Sequence, residues 1–98
     1  MITDPACAAL REGRVLEIRY DGYFRAVEVH AVGFTKDGNA VMRVWQVRGG
    51  SASNERVGWK LLRFDEAVNF GLLEEPSQAP RQGYNRNDPI MTQFVCRL

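Results

Sequence analysis

The feature that most constrains this chain is a series of short segments in which apolar and polar residues alternate, each bounded by a turn signal. In segment 16–20, three apolar or aromatic residues alternate with two charged ones, which is the period of a strand with one buried face. Asp21-Gly22 follows at once and is typical of a two-residue hairpin. The pattern therefore predicts antiparallel strands that are joined by short turns.

Four further segments are predicted to be strands because they are short and rich in apolar residues between turn signals. They cover residues 23–35, 40–48, 57–64 and 68–73. In the first of them, Val27, Val29 and Ala31 are predicted to line one face. Glu28 and His30 then point to the other face, where we expect His30 to be an ordinary surface residue. Gly33 is predicted to mark a bulge or bend.

A short helix is predicted ahead of the strands, at residues 3–11. Thr3 is expected to cap it, Asp4 favours the positive end of the helix dipole, and Pro5 is tolerated in a first turn. Gly13 is the predicted stop. Two connections are also expected, a turn at 36–39 and a flexible loop at 49–54.

The C-terminal part reads differently from the rest, with a linker at 74–83 and a tail at 84–98. Asp88-Pro89 favours a helix start and 92–95 favours a strand, so both structures stay open. Because Met91, Phe94 and Val95 are apolar, we expect the tail to dock on the sheet or on a neighbouring subunit. The division predicted is a domain at 1–75 and a linker with a docking tail at 76–98.

These elements predict a fold that is mainly β with a short N-terminal helix. A small, bent antiparallel sheet closing into an SH3-like or Sm-like barrel is the natural arrangement, because closure removes exposed strand edges. The length of 98 residues suits a single domain.

Charge and composition exclude some partners. Thirteen basic and twelve acidic residues leave a net charge of +1, which is no polycation. Eleven of the basic residues are Arg, and segment 14–63 carries a net +4, from nine basic and five acidic residues. No apolar run approaches the roughly 18 residues of a membrane span, and no secretory signal is visible at the start. We therefore expect a cytoplasmic protein that does not enter a membrane.

Cysteine and histidine are too few for a metal site, because Cys7, Cys96 and His30 are their only representatives. We expect the cysteines to be buried thiols, with a disulfide between the chain ends as the alternative. One imidazole, no Gly-x-Ser-x-Gly elbow and no phosphate-binding loop also argue against catalysis. The chain is therefore predicted to be no enzyme and to need no cofactor.

The order of features resembles a WYL domain. Segment 8–20 resembles the family's opening helix and first strand, which ends in Tyr. Segment 25–30, Arg-Ala-Val-Glu-Val-His, resembles the family's Arg-x-Val-Glu-Pro, and 58–66 resembles its aromatic-basic strand and following corner. The signature Trp-Tyr-Leu itself is replaced by Ala-Val-Met at 40–42, and Glu66 stands at the position of the corner Arg.

The resemblance implies an Sm-like barrel and a role in transcription regulation, through binding of a nucleotide-like ligand or single-stranded nucleic acid. The candidate binding residues lie on or beside the three central strands. They are Arg25, His30, Gln46, Arg48, Trp59, Lys60 and Arg63. Arg and Lys suit phosphate contacts, Gln can read a base edge, and Trp offers a stacking face. Gln46 and Arg48 share strand parity and are predicted to project from one face.

A second class of function stays open beside this one. The chain could be a structural or protein-interaction module that forms a homo-oligomer or binds a protein partner, with no small ligand. In that case Trp59 would be a packing residue, and an apolar strip containing Phe94 and Val95 would be the contact surface.

Overall fold

The computed structural model describes residues 1–98 and contains one α-helix and six strands. The helix is α1 (Asp4–Glu12). The strands are β1 (Arg14–Tyr20), β2 (Tyr23–Phe34), β3 (Ala40–Gly49), β4 (Gly58–Arg63), β5 (Ala67–Pro76) and β6 (Gln93–Arg97). A single 3₁₀ turn, Phe64–Glu66, joins β4 to β5. The mainly β class, the leading helix and the five predicted strands are confirmed.

All strands belong to one antiparallel sheet with the order β4-β3-β2-β1-β5. The twelve-residue β2 is long enough to pair with β1 along its first half and with β6 along its second half. The sheet does not close, since β4 and β5 end it without pairing to each other. In the C-terminal tail, Gln93–Arg97 form strand β6, so of the two structures left open there the strand is the correct one. Strand β5 extends to Pro76, past the predicted start of the linker.

Local turn chemistry places the first hairpin and the end of α1 as predicted. Asp21 and Gly22 have φ values of 52° and 77°, which suit a two-residue hairpin loop. Gly13 ends α1 in the left-handed conformation, at φ 65°. The predicted Thr3 cap is wrong: its side chain makes no capping hydrogen bond, and its hydroxyl is buried without a partner. Thr3 already has helical angles, whereas a capping residue usually has extended ones.

A bulge in β2 overturns one predicted face. Val29 pairs with Val44 and Ala31 pairs with Arg43, so His30 is an extra residue and the alternation inverts after it. Ala31 therefore leaves the face that Val27 and Val29 share, and packs with Val41 and Met91 on the other side.

Two apolar layers lie on opposite faces of the sheet. On the helix face, α1 contributes Ala6, Cys7 and Ala9 to the main core. On the opposite face, residues 77–92, which we call the strap, cross the sheet and lead into β6. The tail thus docks on the sheet as predicted. No helix in the chain is both long and apolar enough to span a membrane.

A disulfide joins Cys7 of α1 to Cys96 of β6. The expectation of two buried thiols is therefore wrong. The bond depends on the pairing of β6 with β2, which brings the far end of the chain under the helix. That pairing needs Gly33, because a side chain there would overlap the carbonyl oxygen of Gln93.

Candidate ligand-binding site

The structure distributes the seven predicted binding residues over separate places. Arg25 and Gln46 lie together but are buried, on the side of the sheet that carries Val27. An Arg25 guanidinium N–H donates to Gln46 Oε1 at 3.4 Å, and Gln46 Nε2 donates to the carbonyl of Gly50 at 3.0 Å. The guanidinium also lies over the Tyr20 ring. Both side chains are engaged inside the protein.

Arg48 is exposed and lies on the opposite face of the sheet from Gln46, so the prediction that the two residues share a face is wrong. Ala26 pairs with Arg48 and Val27 pairs with Gln46, so an extra β3 residue between them inverts the alternation. Arg48 donates two hydrogen bonds to Glu75, at 2.9 and 2.7 Å. These bonds raise the pKa of Arg48 and lower the pKa of Glu75.

Lys60 and Arg63 also have partners within the chain. Lys60 donates to the hydroxyls of Ser51 and Ser53, at 3.2 and 3.3 Å. Arg63 forms a bidentate pair with Asp65, at 3.0 and 2.6 Å, and this pair raises the pKa of Arg63. Neither cation lines the pocket that Trp59 and Tyr84 share.

His30 and Trp59 are brought together, with ring centroids 4.6 Å apart. The prediction that His30 is a surface residue is wrong, because the strap covers it completely. The backbone N–H of Arg81 donates to Nε2 at 2.9 Å, so Nδ1 carries the proton and donates to the carbonyl of Glu28, also at 2.9 Å. Burial lowers the pKa of His30 and favours the neutral ring.

A buried carboxylate anchors the strap beside His30. Glu28 accepts hydrogen bonds from the Arg81 guanidinium at 2.7 and 3.3 Å and from the Gln78 backbone N–H at 2.7 Å. The hydrogen bond to Glu28 raises the pKa of Arg81. The strap is thus held by charge-assisted bonds, which are among the stronger hydrogen bonds in proteins.

The aromatic rings of Trp59, Trp45 and Tyr84 form a cluster beside His30. Trp45 meets Trp59 edge-on at 5.4 Å, and Trp59 lies nearly parallel to Tyr84, with centroids 6.4 Å apart. The Tyr84 hydroxyl lies 3.2 Å from the carbonyl of His30 and 3.3 Å from that of Leu98. These contacts fix the ring of Tyr84 against the sheet.

Beyond these rings lies a pocket of about 550 Å³, which we call the strap pocket. Its wall combines two sheet residues with part of the strap. The lining residues are Arg43, Trp59, Gly83, Tyr84, Asn85, Asp88, Pro89 and Ile90. Its volume falls in the range of small-molecule sites, roughly 300–1,000 Å³.

An ion pair forms the polar part of the wall. Arg43 donates to Asp88 at 2.6 and 3.3 Å, and the backbone N–H of Ile90 donates to the same carboxylate at 3.2 Å. Burial opposes ionisation of Asp88, but these bonds and the positive charge of Arg43 outweigh it and lower the pKa of Asp88. The pair is ionised and its charges cancel, so the pocket offers apolar surface and hydrogen bonds rather than net charge.

Of the seven predicted residues, only Trp59 lines the strap pocket. Sequence reasoning missed Tyr84, Arg43 and Asp88, two of which lie in the segment interpreted as a linker and tail. The sequence signal for this site was the apolar content of the tail, from which its docking on the sheet was expected. No family model matches the chain, and neither a curated protein nor a solved structure shows significant similarity to it.

Proposed function

We propose that this chain is a non-enzymatic binding module that holds a flat, nucleotide-like ligand in the strap pocket. The observation that carries this proposal is the pocket itself, in which Trp59 and Tyr84 stand beside one internally neutralised ion pair. Aromatic side chains bind flat heterocycles by stacking, which is worth about 1–3 kcal/mol per base. A ring system of nucleobase size fits a cavity of this volume.

The geometry favours a single nucleotide-like ligand over a strand of nucleic acid. Single-strand binding proteins combine stacking rings with a groove of unpaired cations. Here Arg48 and Arg63 are paired with Glu75 and Asp65, and Lys60 lies away from the pocket. Binding of a neutral nucleoside should therefore depend little on salt, unlike binding that neutralises phosphates.

The proposal includes that the chain is related to WYL domains and that its binding serves the regulation of transcription. Partial closure of the sheet in the manner of an SH3-like or Sm-like barrel is supported by Tyr20, whose hydroxyl accepts the Arg63 backbone N–H at 3.2 Å. That hydroxyl also donates to Glu66 of the 3₁₀ turn at 2.8 Å, so the two bonds tie β1 to the end of β4 and to the turn that follows it. The cytoplasmic location stays a prediction, and the Cys7–Cys96 disulfide counts against it because such bonds are rare in reducing compartments.

The alternative is a structural or protein-interaction module. The edges of β4 and β5 are unpaired, and Leu61 and Val68 are exposed on these strands. Open strand edges can add a further strand from a partner. Light scattering after size exclusion distinguishes this alternative, which requires a dimer or larger assembly or a captured partner strand.

The first test is a titration with nucleosides and short oligonucleotides, followed by tryptophan fluorescence. A Trp45→Phe background leaves Trp59 as the only fluorescent indole. Tyr84→Ala should weaken nucleoside binding about 5- to 150-fold, which is the equivalent of one lost stacking contact.

Arg48→Ala is the matched control, since it removes a cation outside the pocket and should leave the affinity unchanged. Circular dichroism checks that each variant folds. Absence of any nucleoside binding at millimolar concentration, or equal affinity in Tyr84→Ala, would contradict the proposal.

A further inference from the structure

The side-chain groups of the strap pocket that lack a protein partner are hydrogen-bond donors. Trp59 Nε1 makes no hydrogen bond within the protein and is not a buried atom. Arg43 uses Nε and Nη2 for Asp88, which leaves Nη1 without a partner. Tryptophan and arginine side chains donate and do not accept.

The side-chain oxygens in the same wall all have hydrogen-bond partners within the protein, and the Tyr84 hydroxyl donates to the carbonyls of His30 and Leu98. Both carboxylate oxygens of Asp88 accept from Arg43, and one also accepts from Ile90. Asn85 Oδ1 accepts the Asn87 backbone N–H at 3.0 Å, which leaves its amide N–H groups as further donors. A ligand therefore meets side-chain donors that have no partner, whereas each side-chain oxygen already makes at least one hydrogen bond.

Gly83 keeps one of these donors accessible. Its φ is +91°, and a side chain at this position would begin 3.3 Å from Trp59 Nε1. Because glycine has no side chain, a gap stays open beside the indole nitrogen in the wall of the pocket. This gap leaves room for an acceptor atom of the ligand.

On the basis of the proposed function, we infer that the strap pocket selects flat heterocycles that present carbonyl oxygens over those that present amino groups. A carbonyl oxygen can accept from the indole and the guanidinium, whereas an amino group in the same position would meet these donors with N–H groups of its own and leave both unpaired beneath the ligand. Such a loss costs about 1–3 kcal/mol. A free anion gains less from Arg43, because the carboxylate of Asp88 already balances that charge.

The test compares inosine with adenosine and uridine with cytidine by isothermal titration calorimetry. Each pair exchanges an oxo group beside a ring N–H for an amino group beside an unprotonated ring nitrogen, on an otherwise identical ring. Inosine and uridine should bind at least about fivefold more tightly than their amino counterparts, which is the fold-change expected for one unpaired donor. In spectra of the labelled protein, the Trp59 indole N–H resonance should move downfield with inosine.

Two variants locate the preference. Trp59→Phe keeps an aromatic face but removes the N–H, so it should reduce the inosine preference while adenosine still binds. Arg43→Lys keeps the charge opposite Asp88 but removes the Nη1 donors, and it provides a second test if Trp59→Phe fails to fold.

The failures of this inference and of the proposed function are distinguishable. Equal binding of oxo and amino partners, or a full preference in both variants, overturns the inference and leaves the binding module intact. Absence of binding by all four nucleosides overturns both.

Discussion

His30 illustrates how a residue can lie on the predicted side of a strand and still have the wrong environment. Alternation places it opposite Val27 and Val29, and it does lie there. The strap then covers that side, and Arg81 and Glu28 supply the hydrogen bonds that a buried imidazole needs. Exposure could not be predicted, because it depends on a segment some fifty residues further along the chain.

The free energy of unfolding should decrease as the pH falls from about 7 to 5, because burial lowers the pKa of His30 in the folded protein. The unfolded chain, with a histidine pKa near 6.5, then binds more protons than the folded one. The stabilisation is complete above the unfolded pKa and is lost as the pH falls toward the folded pKa. Urea denaturation at several pH values measures this slope.

His30→Gln is the matched variant, because an amide oxygen can still accept the Arg81 N–H and does not titrate. Its slope between about pH 5 and 7 should be clearly shallower. If the slope matched that of the unaltered protein, His30 would not be the group that titrates.

At the scale of elements, the turns and helix ends that depend only on neighbouring residues could be predicted from the sequence. The Asp21-Gly22 hairpin and the stop at Gly13 were predictable because left-handed backbone angles favour these residue types. The irregularity at Gly33, in the pairing of β2 with β6, was also predicted, but the two bulges in the β2–β3 pairing, near His30 and between Gln46 and Arg48, were not. A bulge depends on the register in which two strands pair, and the sequence of either strand alone does not determine that register.

The strap pocket was even less predictable, because it forms between elements that are distant in sequence. Trp59 was identified by its residue type alone. Asp88 belongs to the pocket because Arg43 pairs with it across 45 positions of the chain, and Tyr84 belongs because its hydroxyl reaches His30 and Leu98. Only the general expectation that the tail docks pointed toward this part of the molecule.

Removal of the disulfide should destabilise the fold. The bonded cysteines are 89 positions apart, so the cross-link restricts nearly the whole unfolded chain, and its loss typically costs about 2–5 kcal/mol. Urea denaturation with and without reductant measures the difference. A Cys7→Ser, Cys96→Ser double variant should match the reduced protein and should not respond to reductant. Equal stability of the oxidised and reduced proteins would contradict this account.

At the scale of the whole molecule, the net charge of a sequence segment does not show how charge is distributed over the folded protein. Segment 14–63 has a net +4, yet many of its arginines pair with acidic residues, several of which lie outside the segment. These pairs are Arg14–Glu12, Arg25–Asp21, Arg43–Asp88, Arg48–Glu75 and Arg63–Asp65. These ion pairs balance much of the positive charge of the segment, and the neutral aromatic pocket becomes the better candidate for binding.

The central claim is that the strap pocket, rather than the surface around Arg48 and Lys60, is where this protein binds its ligand. Chemical-shift mapping of isotope-labelled protein with inosine tests it most directly, because every backbone and indole N–H reports separately. The account predicts saturable shifts at the Trp59 indole and at Gly83 and Asn85, with Arg48 unmoved. Shifts centred on Arg48 and Lys60, or no shifts at millimolar inosine, would contradict it.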